Sequence, residues 1–281
     1  MALIPPFFMD TVVAIGIQQK NNGKIKKSWV GTGFLFGQYV KTHDGDSKKK
    51  DYTVFLVTNK HVLANHGAMI LRFNPQSEQP AKDYQIRLLN DAGKRMWTGH
   101  QNPKVDVAVL RININLIAAE GMKFGLFKSD TDVAPRASMI QHGLMEGDFI
   151  YALGFPMGLV SKDRQHVMVR SGIIARIRDF YESRSTDFTV DAFVFPGNSG
   201  GPVITKPEVV SIQGTQPFKR AALIGIIKSY IPYRDVAISK QTKNPRVIFE
   251  ENTGLSLVEP VDHILQAIAD DLRKEDMRKL S

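Results

Sequence analysis

The sequence predicts an all-β fold that ends in a single α-helix, and three observations lead to this prediction. Short apolar runs of strand length recur along most of the chain, and segments rich in Gly, Pro, Asn and charged residues separate them. Apolar residues at helical spacing are scarce in this part of the chain. After residue 260 the period changes, because apolar residues recur at helical spacing at Val261, Ile264, Leu265, Ile268 and Leu272.

The first half of the chain begins with three clear strand patterns. Residues 11–18 form the first, and residues 29–40 form the second, in which Gly31 and Gly33 allow the chain to bend. Residues 52–58 form the third, which leads into a short helical turn at residues 61–65. The charged stretches between these strands are expected to be solvated turns, at residues 20–28 and 41–51. Further strands are expected at residues 68–73, 84–89, 96–98 and 106–112.

The second half repeats the pattern after a connection at residues 113–140. Its strands are expected at residues 149–153, 167–178, 188–193, 203–204, 221–230 and 253–258. Pro260 suits the first turn of the C-terminal helix. We expect this helix to pack on the second half, and a helix that binds a partner is the open alternative.

Composition restricts the location and the partners of the protein. The chain has 281 residues and no cysteine, and its N-terminus lacks the basic region of a signal peptide. No apolar run approaches the ~20 residues of a membrane span. We therefore expect a cytoplasmic protein without membrane contact. The net charge of +9 is scattered and accompanies no nucleic-acid-binding motif, so no nucleic-acid partner is expected.

The most informative stretch is a Gly-Asn-Ser-Gly-Gly turn between two apolar runs, at residues 197–201. Small residues on both sides of Ser199 allow another backbone to approach it closely. The backbone N–H groups of Gly197 and Ser199 can point toward one position, which an oxyanion hole requires. The alternative is a glycine-rich hairpin without chemistry.

A serine nucleophile needs a base and a group that orients the base. His61 follows an apolar strand and precedes a Val-Leu pair, and Asp106 stands at the entrance of the apolar run 105–112. The order His, Asp, Ser is one of those in which such triads occur. The other histidines lack this context and are expected to be surface or turn residues: His43, His66, His100, His142, His166 and His263.

Six segments in order resemble the trypsin/chymotrypsin-fold serine proteases, and most closely the HtrA/Deg branch without its PDZ domain. They lie within residues 10–265, at residues 31–36, 58–62, 106–110, 154–159, 171–174 and 197–201. The resemblance implies two six-stranded antiparallel β-barrels, chymotrypsin-like, with the site between them. It places His61 and Asp106 on an N-terminal barrel of residues 1–125 and Ser199 on a C-terminal barrel of residues 126–260. The helix, residues 261–281, would pack on the second barrel.

The resemblance also implies a serine endopeptidase that acts on a protein or peptide substrate. Ser199 would attack the peptide carbonyl, His61 would accept its proton, and Asp106 would orient the imidazole. The N–H groups of Gly197 and Ser199 would bind the oxyanion. We expect neither a cofactor nor a metal.

The same resemblance places the base of a substrate pocket near Phe193 and Val194 and a second wall on the strand at residues 226–230. The expected pocket residues are Phe193, Val194, Phe195, Ile226, Ile227 and Lys228. No carboxylate lies at this base, which favours aliphatic over basic substrate residues. Phe193 would narrow the pocket. Lys228 either faces solvent or selects acidic substrate residues.

Two residues beside Ser199 bear on activation. Asn198 has no charge to bind a freed N-terminus, so activation by N-terminal cleavage is not expected. Pro196 stands where the resemblance would place a polar residue. Two alternatives therefore stay open: a latent protease effector that an activating protein partner or assembly switches on, and a non-cleaving peptide-binding or chaperone-like module.

Overall fold

A computed structural model describes residues 4–21, 24–43, 46–207 and 219–280. These residues are mostly in strands, which form one sheet from the first half of the chain and a second from the other half. The all-β class and the two-lobed, chymotrypsin-like architecture expected from the sequence are confirmed.

The first lobe is an eight-stranded sheet within the described residues, where six strands were expected. Its strands are β1 (Val12–Asn21), β2 (Lys24–His43), β3 (Asp46–Thr58), β4 (Ala68–Phe73), β5 (Lys82–Arg87), β6 (Thr98–Gly99), β7 (Ala108–Arg111) and β8 (Phe127–Lys128). The path runs β5-β4-β1-β2-β3-β7-β6. β8 joins because β1 stops pairing with β2 at Phe34, and the open edge then pairs in parallel through Phe36 and Phe127.

The charged stretches expected to be turns are mostly strand. β1, β2 and β3 continue into two long hairpins, which pair Asn21 with Lys24 and His43 with Asp46. Residues 22–23 and 44–45, where those turns were expected, lie outside the described residues. The strands extend because backbone pairing with a neighbour outweighs the low strand propensity of charged residues.

The second lobe is a closed six-stranded barrel, as expected. Its strands, in barrel order β10-β11-β14-β13-β12-β9, are β9 (Phe149–Gly154), β10 (Met168–Arg176), β11 (Phe188–Asp191), β12 (Pro202–Thr205), β13 (Leu223–Ile238) and β14 (Pro245–Pro260). β13 and β14 exceed their predicted lengths. They leave the barrel as a two-stranded ribbon whose pairing continues to Ile238 and Pro245.

Short helices connect the strands, and a long one ends the described chain. They are α1 (Pro6–Met9), α2 (Lys60–Leu63), α3 (Ile114–Ala119), α4 (Arg136–Gln141), α5 (Arg178–Tyr181) and α6 (Val261–Leu280). The buried face of α6 carries Val261, Ile264 and Ile268, which confirms the helical spacing. None of the described helices has the length and apolar character needed to cross a membrane.

The helix α6 touches both lobes rather than the second barrel alone. Its Asp271 accepts hydrogen bonds from Thr98 Oγ1 at 2.8 Å and from Arg111 Nε at 2.6 Å, both in the first sheet. A core cluster shared by the two lobes includes Phe34, Leu153 and Val261 among its members. The helix therefore bridges the two lobes, and the candidate site lies between them.

Candidate active site

A cleft of about 320 Å³ contains the three residues that the sequence singled out. Strand β3 leads into α2, which carries His61, and Asp106 lies just before β7. Ser199 lies on the turn before β12. The cleft is lined by His61, Asp106, Val194, Phe195, Pro196, Ser199, Ile227, Lys228, Ser229 and Tyr230.

The Asp106 carboxylate holds His61 at two points. Its Oδ2 lies 2.5 Å from His61 Nδ1, and its Oδ1 accepts the His61 backbone N–H at 3.2 Å. Asn59, at the start of α2, donates from Nδ2 to the Asp106 carbonyl oxygen at 2.6 Å. Hydrogen bonds at the His61 ring, at the His61 backbone N–H and at the Asp106 carbonyl therefore fix the imidazole relative to the carboxylate.

Asp106 is ionised at neutral pH in this environment. Burial by itself would raise its pKa, but the hydrogen bond and charge of His61 and the N–H groups of His61 and Lys60 outweigh burial and lower the pKa. An ionised carboxylate only accepts hydrogen bonds, so Nδ1 of His61 carries the proton. In the neutral ring, Nε2 is then the free base.

The turn around Ser199 depends on two glycines with left-handed backbone conformations. Gly197 has φ of +99° and Gly200 has φ of +83°. A Cβ atom on Gly200 would collide with the carbonyl oxygen of Thr32. Thr32 binds the turn from the first sheet, since its N–H donates to Ser199 O at 3.0 Å and its Oγ1 donates to Gly197 O at 2.6 Å. The turn, which belongs to the second lobe, is thus also hydrogen-bonded to the first lobe.

Gly197 and Ser199 each present a backbone N–H group at this turn. The carbonyl of Pro196 accepts the Met157 N–H at 2.5 Å, and the peptide is trans, so the N–H of Gly197 points the opposite way. In the part of the chain that the structure describes, the N–H groups of Gly197 and Ser199 have no hydrogen-bond acceptor. Such a pair of donors can bind an anionic oxygen.

The Ser199 hydroxyl points to a backbone carbonyl. Its Oγ donates to Lys228 O at 3.5 Å, and no hydrogen bond joins it to His61 among the described residues. A separation of 3.5 Å is at the long limit for such a bond, so this contact holds the hydroxyl weakly. Catalytic hydrogen bonds are often long in sites without substrate.

Four of the six residues expected at the pocket line the cleft, namely Val194, Phe195, Ile227 and Lys228. Phe193 does not, because its half-exposed ring packs over Gly254. Ile226 is buried in the core shared by the lobes. Ser229 and Tyr230 also line the cleft and lie in the segment 226–230 expected to form the second wall, whereas Pro196 was not expected as a lining residue.

Lys228 does not have the solvent-facing position that was one of its two expected roles, and its selection of acidic substrate residues stays a prediction. Its Nζ lies 2.9 Å from Asp187 Oδ2 and 2.9 Å from Glu259 Oε1 and donates to the Lys104 carbonyl at 3.2 Å, so protein groups hold the ammonium although the residue lines the cleft. Burial would lower the Lys228 pKa, but the bonds to Asp187 and Glu259 outweigh it and raise the pKa above its usual value. The lysine is a fixed cation. The sequence offered no signal for Asp187 or Glu259, since neither lies in a motif.

His263, expected to be an ordinary surface or turn histidine, is buried. Its Nδ1 lies 2.8 Å from Glu259 Oε2, one helical turn earlier in the chain. Within the described residues, no group of three or more His, Asp or Glu side chains is placed to hold a metal ion.

Comparison with known proteins identifies the family of this chain. Residues 31–210 match the family model described as a trypsin-like peptidase domain. Two similar curated proteins are each described as a probable periplasmic serine endoprotease DegP-like. The protein from Pseudomonas putida (strain GB-1) is 28% identical over 187 residues, which are 66% of this chain and 31% of that protein.

The protein from Rhizobium meliloti (strain 1021) is 30% identical over 196 residues, which are 69% of this chain and 29% of that protein. The chain thus matches about three tenths of the length of these relatives. The family match spans the segments that carry His61, Asp106 and Ser199, and it covers well over half of the chain. This chain therefore belongs to the family of proteins with a trypsin-like peptidase domain.

Proposed function

We propose that this chain is a serine endopeptidase whose nucleophile is Ser199, whose base is His61 and whose orienting carboxylate is Asp106. The observation that carries the proposal is the 2.5 Å hydrogen bond between His61 and Asp106 in the same cleft as Ser199. The family membership and the two DegP-like relatives support a serine peptidase in general. The assignment of individual roles rests on the chemistry of the residues.

In the proposed reaction the Ser199 hydroxyl turns from the Lys228 carbonyl to Nε2 of His61, a side-chain rotation that takes picoseconds to nanoseconds for an unhindered group. His61 accepts its proton as Oγ attacks the peptide carbonyl, and later returns the proton to the leaving amine. Asp106 stabilises the imidazolium. The N–H groups of Gly197 and Ser199 receive the negative charge on the carbonyl oxygen.

The cleft favours apolar residues on the acyl side of the cleaved bond. Val194, Phe195 and Ile227 line it, and the lysine among its lining residues, Lys228, is paired with two carboxylates of its own. A basic substrate residue would meet no free carboxylate there, because Asp106 is already bound to His61. We therefore propose small to medium aliphatic residues as the preferred substrate side chains.

Cleavage of a denatured protein tests this function. We expect the full chain to produce internal fragments, and Ser199→Ala to lower turnover by on the order of 10⁶-fold. Ser77→Ala, which changes an exposed serine outside the cleft, is the matched control and should cleave like the wild type. Internal cleavage at an undiminished rate by Ser199→Ala would contradict the proposal.

A second candidate is the latent protease that an activating protein partner or an assembly switches on. The direction of the Ser199 hydroxyl, toward Lys228 rather than His61, favours it. This candidate predicts that the isolated, folded chain does not cleave until the activator is added. A non-cleaving peptide-binding module predicts instead that wild type and Ser199→Ala bind an unfolded peptide equally and leave it intact. The cytoplasmic location is proposed from the sequence alone, and the names of both relatives describe those proteins as periplasmic.

A further inference from the structure

Glu259 is a fully buried carboxylate that the proposed reaction does not use. It lies at the end of β14, just before α6, and three donors surround it. Its Oε1 accepts the backbone N–H of Asp106 at 2.9 Å and lies 2.9 Å from Lys228 Nζ. Its Oε2 lies 2.8 Å from His263 Nδ1. A buried carboxylate is costly unless it is paired and hydrogen-bonded, so this full set of partners explains how it is tolerated.

The bond from Asp106 to Glu259 crosses between the lobes. Asp106 and His61 belong to the first lobe, whereas Glu259 belongs to the second lobe, as Ser199 does. Any shift of the Asp106 backbone moves the carboxylate that holds His61. Glu259 therefore connects the base side of the site to the lobe that carries the nucleophile.

Other charged groups near Glu259 are engaged elsewhere. Asp187 binds Lys228, and Lys60, whose charge Glu259 also faces, donates from Nζ to the Asn102 carbonyl at 3.0 Å. The ring of His263 lies 5.0 Å from that of His100, between centroids. Among these described groups, Glu259 alone accepts a bond from the Asp106 backbone.

We propose that Glu259 is a positioning residue, which fixes the Asp106 backbone across the lobe interface and so keeps His61 aligned with Ser199. Lys228 supplies the charge that lets Glu259 remain a buried acceptor. This inference rests on the proposed function, because the alignment matters only if His61 and Ser199 react together.

The first test measures separately how a substitution of Glu259 changes kcat and KM. Glu259→Ala removes the acceptor, and we expect kcat to fall about 10- to 100-fold, since small misplacements of catalytic groups cost rates of this order. KM should stay within about twofold, because Glu259 does not line the cleft. Glu259→Gln should recover most of kcat. Its amide oxygen can accept from Asp106 and Lys228, and its NH₂ can donate to neutral His263.

The second test does not depend on activity. A proton held in the short bond between His61 Nδ1 and Asp106 gives a strongly low-field resonance in the ¹H NMR spectrum. We expect Glu259→Ala to move or broaden this resonance even in the Ser199→Ala background. Glu259→Gln should retain it.

Asp271→Asn is the matched control. Asp271 is also a carboxylate of the C-terminal segment that binds the first lobe, but it contacts Thr98 and Arg111 rather than Asp106. A general loosening of the lobes would affect both variants. The proposal predicts that Asp271→Asn lowers stability while retaining kcat and the low-field resonance.

If Glu259→Ala does not fold, Lys228→Met combined with Glu259→Met replaces the ion pair by apolar side chains, which buried pairs often tolerate. An unchanged low-field resonance in the folded variant, or an equal loss of kcat in Asp271→Asn, would overturn the positioning role. The wild type could show no turnover while Glu259→Ala still changes the low-field resonance. That result would refute the proposed function and support the positioning role.

Discussion

Thr32 joins the first lobe to the turn that carries Ser199, and removing its hydroxyl tests whether this contact shapes the proposed oxyanion site, which the N–H groups of Gly197 and Ser199 would form. The buried Oγ1 donates to Gly197 O at 2.6 Å and accepts the Phe155 N–H at 3.0 Å. Thr32→Val keeps the shape of the side chain and leaves both backbone groups without a partner. Each unsatisfied buried group costs about 1–3 kcal/mol, so we expect the loss of two partners to lower the free energy of unfolding by about 2–6 kcal/mol.

The same change should slow turnover. The Thr32 hydroxyl holds the carbonyl oxygen of Gly197, and the N–H group of Gly197 is a donor of the proposed oxyanion site. Outright loss of an oxyanion donor typically costs about 10²–10³-fold in kcat. We expect the loosened donor of Thr32→Val to cost about 10- to 100-fold. Urea unfolding and steady-state cleavage of a peptide substrate measure the two effects.

Thr205→Val is the control, because Thr205 makes the same pair of contacts elsewhere. Its buried Oγ1 donates to Arg220 O at 3.0 Å and accepts the Ala222 N–H at 3.0 Å, inside the second barrel. It should lose similar stability and retain its kcat. Equal losses of kcat in the two variants, or none in Thr32→Val, would refute the link between Thr32 and the oxyanion site.

Three further changes test separate parts of the site. Folding lowers the pKa of Asp106, so the charged carboxylate stabilises the fold at pH values above the unfolded pKa of about 3.9. This stabilisation disappears as the pH falls through the lower, folded pKa. Urea unfolding should therefore show the difference in stability between wild type and Asp106→Asn shrink below pH ~4, and a constant difference would contradict this. Gly200→Ala places a Cβ against Thr32 O at a φ of +83°, so we expect a loss of at least about 1–2 kcal/mol by urea unfolding and no turnover; a fully active variant would show that the turn is less constrained. Phe193→Ala should leave the cleavage preference of a peptide library unchanged, whereas Phe195→Ala should shift it toward larger side chains, because only Phe195 lines the cleft; the reverse result would place the pocket at Phe193.

Sequence reasoning located the segments around the cleft because each carries a local pattern. His61 follows an apolar strand, Asp106 precedes one, and Ser199 lies in a glycine-rich turn. The structure brings all three into one cleft. Such patterns can be recognised in the sequence because the residues that form them are neighbours in the chain.

The features that the sequence did not predict depend on distant pairings. Glu259 meets Asp106 across 153 positions of the chain, and no spacing rule connects them. The β13–β14 ribbon continues beyond Tyr230 because its two strands pair with each other, although Pro232 and nearby charges weaken the strand pattern. The Phe193 ring was misplaced for a related reason, since its contact with Gly254 comes from the neighbouring strand β14.

The most direct test of the central claim is fluorophosphonate labelling of the purified full chain, read by intact mass and by mapping the labelled peptide. A fluorophosphonate reacts with a serine only where a base and an oxyanion site activate it. The account predicts one label per chain, located on Ser199, and none in Ser199→Ala or His61→Ala. A folded wild type that stays unlabelled, or a label on any other serine, would contradict the claim that His61, Asp106 and Ser199 form a working site in this chain.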